Sequence, residues 1–367
     1  MLQGHVVRLV LAPAFKQTSG WDIHELIHGI TGPAFLFGSG FAFVVAAQRR
    51  RDVLRSFTPG FWRRFAKSFL LILIGYALAV PFYSLSRTLA ETTPSQWQTF
   101  FRFDILQLIG FSLLLQRILY VFIRTDRSFV TQLLACTIII PIVSPILWSS
   151  PVIEQVPRIP ATWLTGVFGS PFPITPYMSF LTAGGVCSWY FLEALTMKNV
   201  AVFMRHLLVG GSLLVTLSLS GALGFFPDAV AVIQPQASAT HFIFRIGAIL
   251  MTLPACWFIV HLVDGVSARP PHLLRWVTTL GRESLFVYVA HLLLLYGSMF
   301  GVGRNVQGWF GASMGIIPSI LMFVGIAFLV VIATIGWHTL KTSRPRSMRV
   351  ISVTIPLAWI AGFVLSR

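Results

Sequence analysis

Charge is what this chain has least of. Only 10% of its 367 residues are charged and only 11 are acidic, where a soluble domain carries roughly 25% charged residues. A water-facing surface cannot be covered with so few charges, so lipid must be the solvent for much of the chain. Cysteine is scarce as well. Cys136, Cys187 and Cys256 are odd in number, form no Cys-x-x-Cys pair and lie in apolar segments. That pattern speaks against a disulfide framework and a cysteine-based metal site, and the three read as small core residues. The opening stretch Met1 to Phe15 has no basic segment ahead of its apolar part and no small-residue cleavage site, so it does not read as a signal peptide. No fixed-period repeat and no inverted halves are found, which weakens a transporter reading. No soluble domain can be cut out, and 1–367 reads as a single integral membrane domain.

What the chain has instead is apolar sequence from end to end. Hydrophobic residues make up 56%, and the mean hydropathy is +0.80. Apolar runs fall at 28–48, 68–86, 104–123, 129–149, 174–196, 201–224, 242–263, 277–298, 314–337 and 350–366. Each is near the ~20 residues needed to cross a bilayer. Backbone polar groups in lipid must be satisfied within the segment, so these runs are expected to be helices. Residues 1–15 cover only about 22 Å at the helical rise, and they read as the second half of a further helix. The expected fold is all-α, a polytopic transmembrane bundle of about eleven helices.

The formal net charge is +16. Positive-inside bias explains this better than nucleic acid, because no basic patch lies on a soluble face. The 49–67 loop holds Arg49, Arg50, Arg51, Arg55, Arg63, Arg64 and Lys67. Alternating loops on its side raise the total to eighteen of the 27 Lys and Arg. The other side has six, and Arg8, Arg117 and Arg245 lie within helices. The basic side is expected to be cytoplasmic and to meet anionic lipid. The N-terminus then lies inside and the C-terminus outside. On the outer side, 150–173 is long and rich in Pro and Trp, 225–241 is polar and 299–313 is Gly-rich; loops this long often contribute to a site.

Ionisable groups at membrane depth are costly and mark candidate sites. Counting along the helices puts His5, Arg8, His28, Asp104, Arg245 and His291 in the outer half. His5 and Arg8, three apart, share a helix face. Arg117 and Glu193 lie nearer the inner ends, where snorkelling or helix pairing accounts for them. His206, His261, His272 and His338 fall at the inner boundary. His24-Glu25-Leu26-Ile27-His28 has the His-Glu-x-x-His form of a zinc protease, and Asp264 sits in a Leu-Val-Asp-Gly segment that suits its second motif. Topology argues against that pairing, because about 30 Å of bilayer separates the two, and one metal cannot use ligands across it.

Several segments together resemble the bacterial membrane acyltransferases related to heparan-α-glucosaminide N-acetyltransferase. Met1-Leu2-Gln3-Gly4-His5 is similar to the end of that family's first-helix motif, without its preceding Arg-Gly element. His28 through Gly40 (HGITGPAFLFGSG) is similar to its second helix, and Asp104 through Gly110 to its fourth. Phe172-Pro173-Ile174 with Pro176-Tyr177 and Gly184 looks like its Phe-Pro…Pro-aromatic…Gly segment. Leu280-Gly281-Arg282-Glu283-Ser284-Leu285, with Tyr288 and His291, resembles its late Gly-Arg-x-Ser-Leu…Tyr…His helix. The resemblance implies acyl transfer from a cytoplasmic donor, usually acetyl-CoA and without a metal, to a saccharide at the outer face. It implies a multi-pass protein of a bacterial inner membrane, and a homodimer by analogy. In that reading His5 or His28 is the base or transient acyl carrier and Asp104 orients it. Arg8, Arg245, Ser284, Tyr288 and His291 hold substrate. A transporter or flippase of a polar or lipid-linked substrate is the alternative, using the same buried charges without chemistry.

Overall fold

A computed structural model describes residues 1–220, 235–264, 272–297 and 305–366. Much of the 225–241 and 299–313 loops, along with Gly265 and Arg269, lies outside the described residues. The longer helices are α1 (Leu2–Val10), α2 (Ser19–Arg49), α3 (Pro59–Leu78), α4 (Ile105–Phe122), α5 (Asp126–Ser149), α6 (Ile174–Thr196), α7 (Val200–Leu219), α8 (Ala239–Asp264), α9 (His272–Arg282), α10 (Ser284–Tyr296), α11 (Ile316–Ser343) and α12 (Pro345–Leu365). Among the described residues there is no strand, only an isolated bridge between Leu11 and Met314. Among the described residues six helices, α2, α4, α5, α7, α8 and α11, are long and apolar enough to cross a membrane, which makes the chain a multi-pass membrane protein.

Proline and charge explain where the helices depart from the apolar runs. The first helix stops at Val10 instead of continuing to residue 15. Pro13 disfavours helical geometry at Ala12, and a 3-10 turn, Pro13–Gln17, follows. α3 ends at Leu78, short of residue 86, because Pro81 cannot donate to its ladder. It begins at Pro59, so Arg63, Arg64 and Lys67 are helical. α2 starts at Ser19, so the HELIH segment lies within the helix. The 277–298 run divides at Glu283, whose ψ of 24 breaks the helical course between α9 and α10.

The chain falls into two compact units. The second comprises Gly29–Ala77 and Phe101–Val260. Within it, α2 and α6 meet at small residues. A Cβ on Gly40 would strike the Leu181 carbonyl, and a Cβ on Gly184 the Phe37 carbonyl. Close backbone approach of this kind drives helix association in lipid. Gly184→Val is therefore expected to destabilise the protein by about 1–3 kcal/mol, seen as a lower unfolding midpoint in detergent. An unchanged midpoint would mean that this contact is not tight. The 150–173 segment is pinned onto the helix ends: Trp148 Nε1 donates to Thr175 Oγ1 (3.0 Å), Thr175 Oγ1 to Leu164 O (2.6 Å), and the Phe103 amide to Ser170 Oγ (2.9 Å).

The first unit comprises Met1–His28, Leu78–Phe100 and His261–Arg367. Its core sets Val6, Leu9 and Val10 of α1 against Leu295, Val306, Ile326 and Val330. Beyond α1, the Ala12 amide donates to Met314 O and the Met314 amide to Val10 O, both at 2.8 Å. Glu283, buried at the α9–α10 joint, accepts from His338 Nδ1 (3.0 Å) and from Lys341 Nζ (2.9 and 3.0 Å) on α11. Burial pushes its carboxyl up, but these partners outweigh burial and hold it below the usual carboxylate range. The stabilisation is thus present above the unfolded carboxylate value, about 4.3, and is lost as pH falls through the lower folded value. Glu283→Gln is expected to cost about 1.5–3 kcal/mol at neutral pH and to flatten the acid limb of an unfolding-versus-pH curve. A mutant with the wild-type acid limb would dismiss this clamp.

Candidate functional site

In the first unit the histidines gather. α1 buries Gly4, Val6, Leu9 and Val10, which leaves His5 and Arg8 on its other side. The His5 ring lies 5.8 Å from that of His28, edge to face, and 5.4 Å from that of His291. Tyr288, one turn before His291, stands edge-on to it at 5.5 Å, and Tyr296 lies 6.3 Å from His5. Gly4 makes room for this arrangement, because a Cβ there would run into the His28 ring.

His291 is almost fully buried. Its Nδ1 is 2.7 Å from the carbonyl oxygen of Val287. A carbonyl oxygen only accepts, so Nδ1 carries the proton of that bond, and the neutral ring presents Nε2 as a lone pair. That Nε2 is buried and has no hydrogen-bond partner among the described residues. Chemically this is a proton acceptor whose tautomer is set by the backbone.

The HELIH segment is used as an ion-pair anchor. Arg8 donates from Nε to Glu25 Oε1 at 2.8 Å and from Nη2 to Glu25 Oε2. His24 Nδ1 lies 3.3 Å from the same carboxylate. The His24 and His28 rings are stacked at 6.0 Å, and Trp21 stacks on His24 at 4.8 Å. Glu25, the residue that would be a base in a zinc protease, is thus engaged by Arg8. Among the described residues no three His, Cys, Asp or Glu side chains are grouped to hold a metal. The side chain of Asp264 lies outside the described residues.

The other expected site residues are placed differently. Ser284 opens α10, two turns or roughly 10 Å before His291 along the axis. Asp104 and Arg245 belong to the second unit. Asp104 is the N-cap of α4, its Oδ1 accepting from the Ile105 amide at 2.6 Å, a common structural use of aspartate. Arg245 donates from Nη1 to the Tyr177 hydroxyl at 3.2 Å. It packs so close to Gly29 that a Cβ there would lie 2.8 Å from its Nη2. It has no carboxylate partner among the described residues. His241, one turn earlier on α8, has a buried Nε2 without a partner. Sequence reasoning passed over His241 and Tyr296. The i, i+4 spacing of His241 and Arg245 was the available signal for the first; for Tyr296 there was none.

No protein-family model, curated protein or solved structure matches this chain.

Proposed function

We propose that the chain is a membrane acyltransferase that moves an acetyl or other acyl group from a cytoplasmic donor, acetyl-CoA by analogy, to a saccharide at the outer face. The observation that carries this reading is the His5–His28–His291 cluster, with one imidazole oriented by a backbone carbonyl and presenting an unprotonated Nε2. Acyl transfer needs a base for the attacking hydroxyl or amine and donors for the oxyanion. A cluster of imidazoles offers both, since each neutral ring has one donor and one acceptor nitrogen. In this proposal His291 takes the acceptor proton. The acceptor oxygen then bonds to the thioester carbon, the C–S bond breaks, and the thiolate leaves with a proton from the cluster. His5 or His28 donates to the carbonyl oxygen, and Tyr288 positions the ring of His291. Ser284, placed two turns off, and Arg8, engaged by Glu25, are weaker choices for substrate contact.

The proposal includes the setting: a bundle of about eleven spans in a bacterial inner membrane, N-terminus cytoplasmic, working as a homodimer. Incubating purified protein with radiolabelled acetyl-CoA and glycan acceptors tests it. Label transfer, or stabilisation by acetyl-CoA, is expected. If neither occurs, the same polar groups are better read as the path of a transporter.

A further inference from the structure

We propose that Arg117, with Arg64, seats a phosphate group at the end of the second unit that carries the arginines of the 49–67 segment. This goes beyond acyl transfer and does not depend on it.

Arg117 lies on α4, an apolar helix long enough to span a membrane, and is 6% exposed. Its Nε and Nη1 are buried without a hydrogen-bond partner among the described residues. Its guanidinium carbon lies 5.8 Å from the centroid of the Phe43 ring. No carboxylate pairs with it among the described residues. Asp126 is engaged by Arg51 and by Arg55, the latter at 2.6 Å. The neighbouring Gln116 is fully buried, and both its amide atoms are also without partners.

The second cation comes from α3. Gly75 makes room for the Gln107 side chain, and Gly110 lies against Ser68 and Ile72. As the α4 number rises, the α3 number falls, so the two helices run antiparallel. Followed one or two turns further, this register brings Arg64 toward Arg117, and the Arg64 charge acts on Arg117. Two guanidinium groups near one another, one buried and neither paired with a carboxylate among the described residues, repel each other unless an anion lies between them. Snorkelling does not account for the pair, because a snorkelling arginine places its guanidinium in water, whereas two of the three Arg117 nitrogens are enclosed.

A phosphate suits the vacancy in charge better than a halide. It has several acceptor oxygens, and guanidinium groups recognise it through more than one N–H at once. It has two possible sources: the headgroup of an anionic phospholipid, or a soluble phosphate ester entering from the basic face.

The test uses the full chain in nanodiscs and follows the thermal unfolding midpoint. One arm titrates inorganic pyrophosphate into phosphatidylcholine discs at constant ionic strength, and the other replaces part of the phosphatidylcholine with phosphatidylglycerol. A saturable rise with pyrophosphate that Arg117→Gln abolishes supports a soluble ester. A rise with phosphatidylglycerol alone, also abolished by Arg117→Gln, supports a headgroup. Arg64→Gln, at a half-exposed position, is expected to fold and to weaken either effect at least fivefold, so the idea stays testable should Arg117→Gln fail to fold. No response to either anion in the wild type, or responses unaltered in the Arg64→Gln protein, would overturn the proposal.

Discussion

Purified His291→Asn protein is expected to transfer acyl groups about 10²–10⁴-fold more slowly than the wild type, the range that a positioned acid or base contributes. Asparagine is the informative replacement. Its amide nitrogen can still donate to the Val287 carbonyl, so the backbone bond of His291 survives, while the basic nitrogen is gone. A matching loss is expected for His5→Ala and His28→Ala, whose rings complete the cluster. The readout is single-turnover transfer of labelled acetate, beside an unfolding curve showing that each protein folds. Full activity in the His291→Asn protein would remove that residue from the chemistry. Full activity in both alanine variants would dissolve the proposed centre.

The second large effect comes from a residue without a functional group. Gly4→Val is expected to reduce transfer at least as much as His28→Ala does, because the new side chain occupies the space of the His28 ring. Strain in a well-packed site of this kind typically costs about 1–3 kcal/mol, so some loss of unfolding midpoint should accompany it. The double variant Gly4→Val/His28→Ala separates the two causes. With the ring removed the clash is relieved, and the midpoint should recover while activity does not. A double variant less stable than Gly4→Val alone would contradict this account.

Particular elements explain how far the sequence could be read. The bounds of α6 were legible to the residue, because Pro173 stands at its start and Lys198 and Asn199 follow its end. The beginning of α2 was not legible. Asp22, His24 and Glu25 interrupt its apolar pattern, and only the bond from Arg8, seventeen residues away, shows that the charge is compensated inside a helix. The division at Glu283 was hidden for the same reason. One acidic residue in an apolar run reads as a tolerated exception until its partners, 55 and 58 residues on, are seen. Counting residues along helices grouped His5, His28 and His291, and the structure sets the His5 ring beside those of His28 and His291. The same counting grouped Asp104 with them, yet its carboxylate caps a helix. Position along a helix can be counted in the sequence; the direction a side chain takes about the axis depends on neighbours far away in sequence.

The pair of backbone hydrogen bonds that fixes the stretch after α1 also carries a schedule. Ala12 and Val10 find their partner in Met314, a residue made roughly 300 positions later. At about 5–20 residues per second, some 15–60 seconds of synthesis pass before that partner exists. The stretch that follows the segment bearing His5 waits that long before these two bonds can tie it down. A nascent chain arrested before Met314 should therefore have a stretch around Ala12 that proteases reach, and synthesis through Met314 should close it.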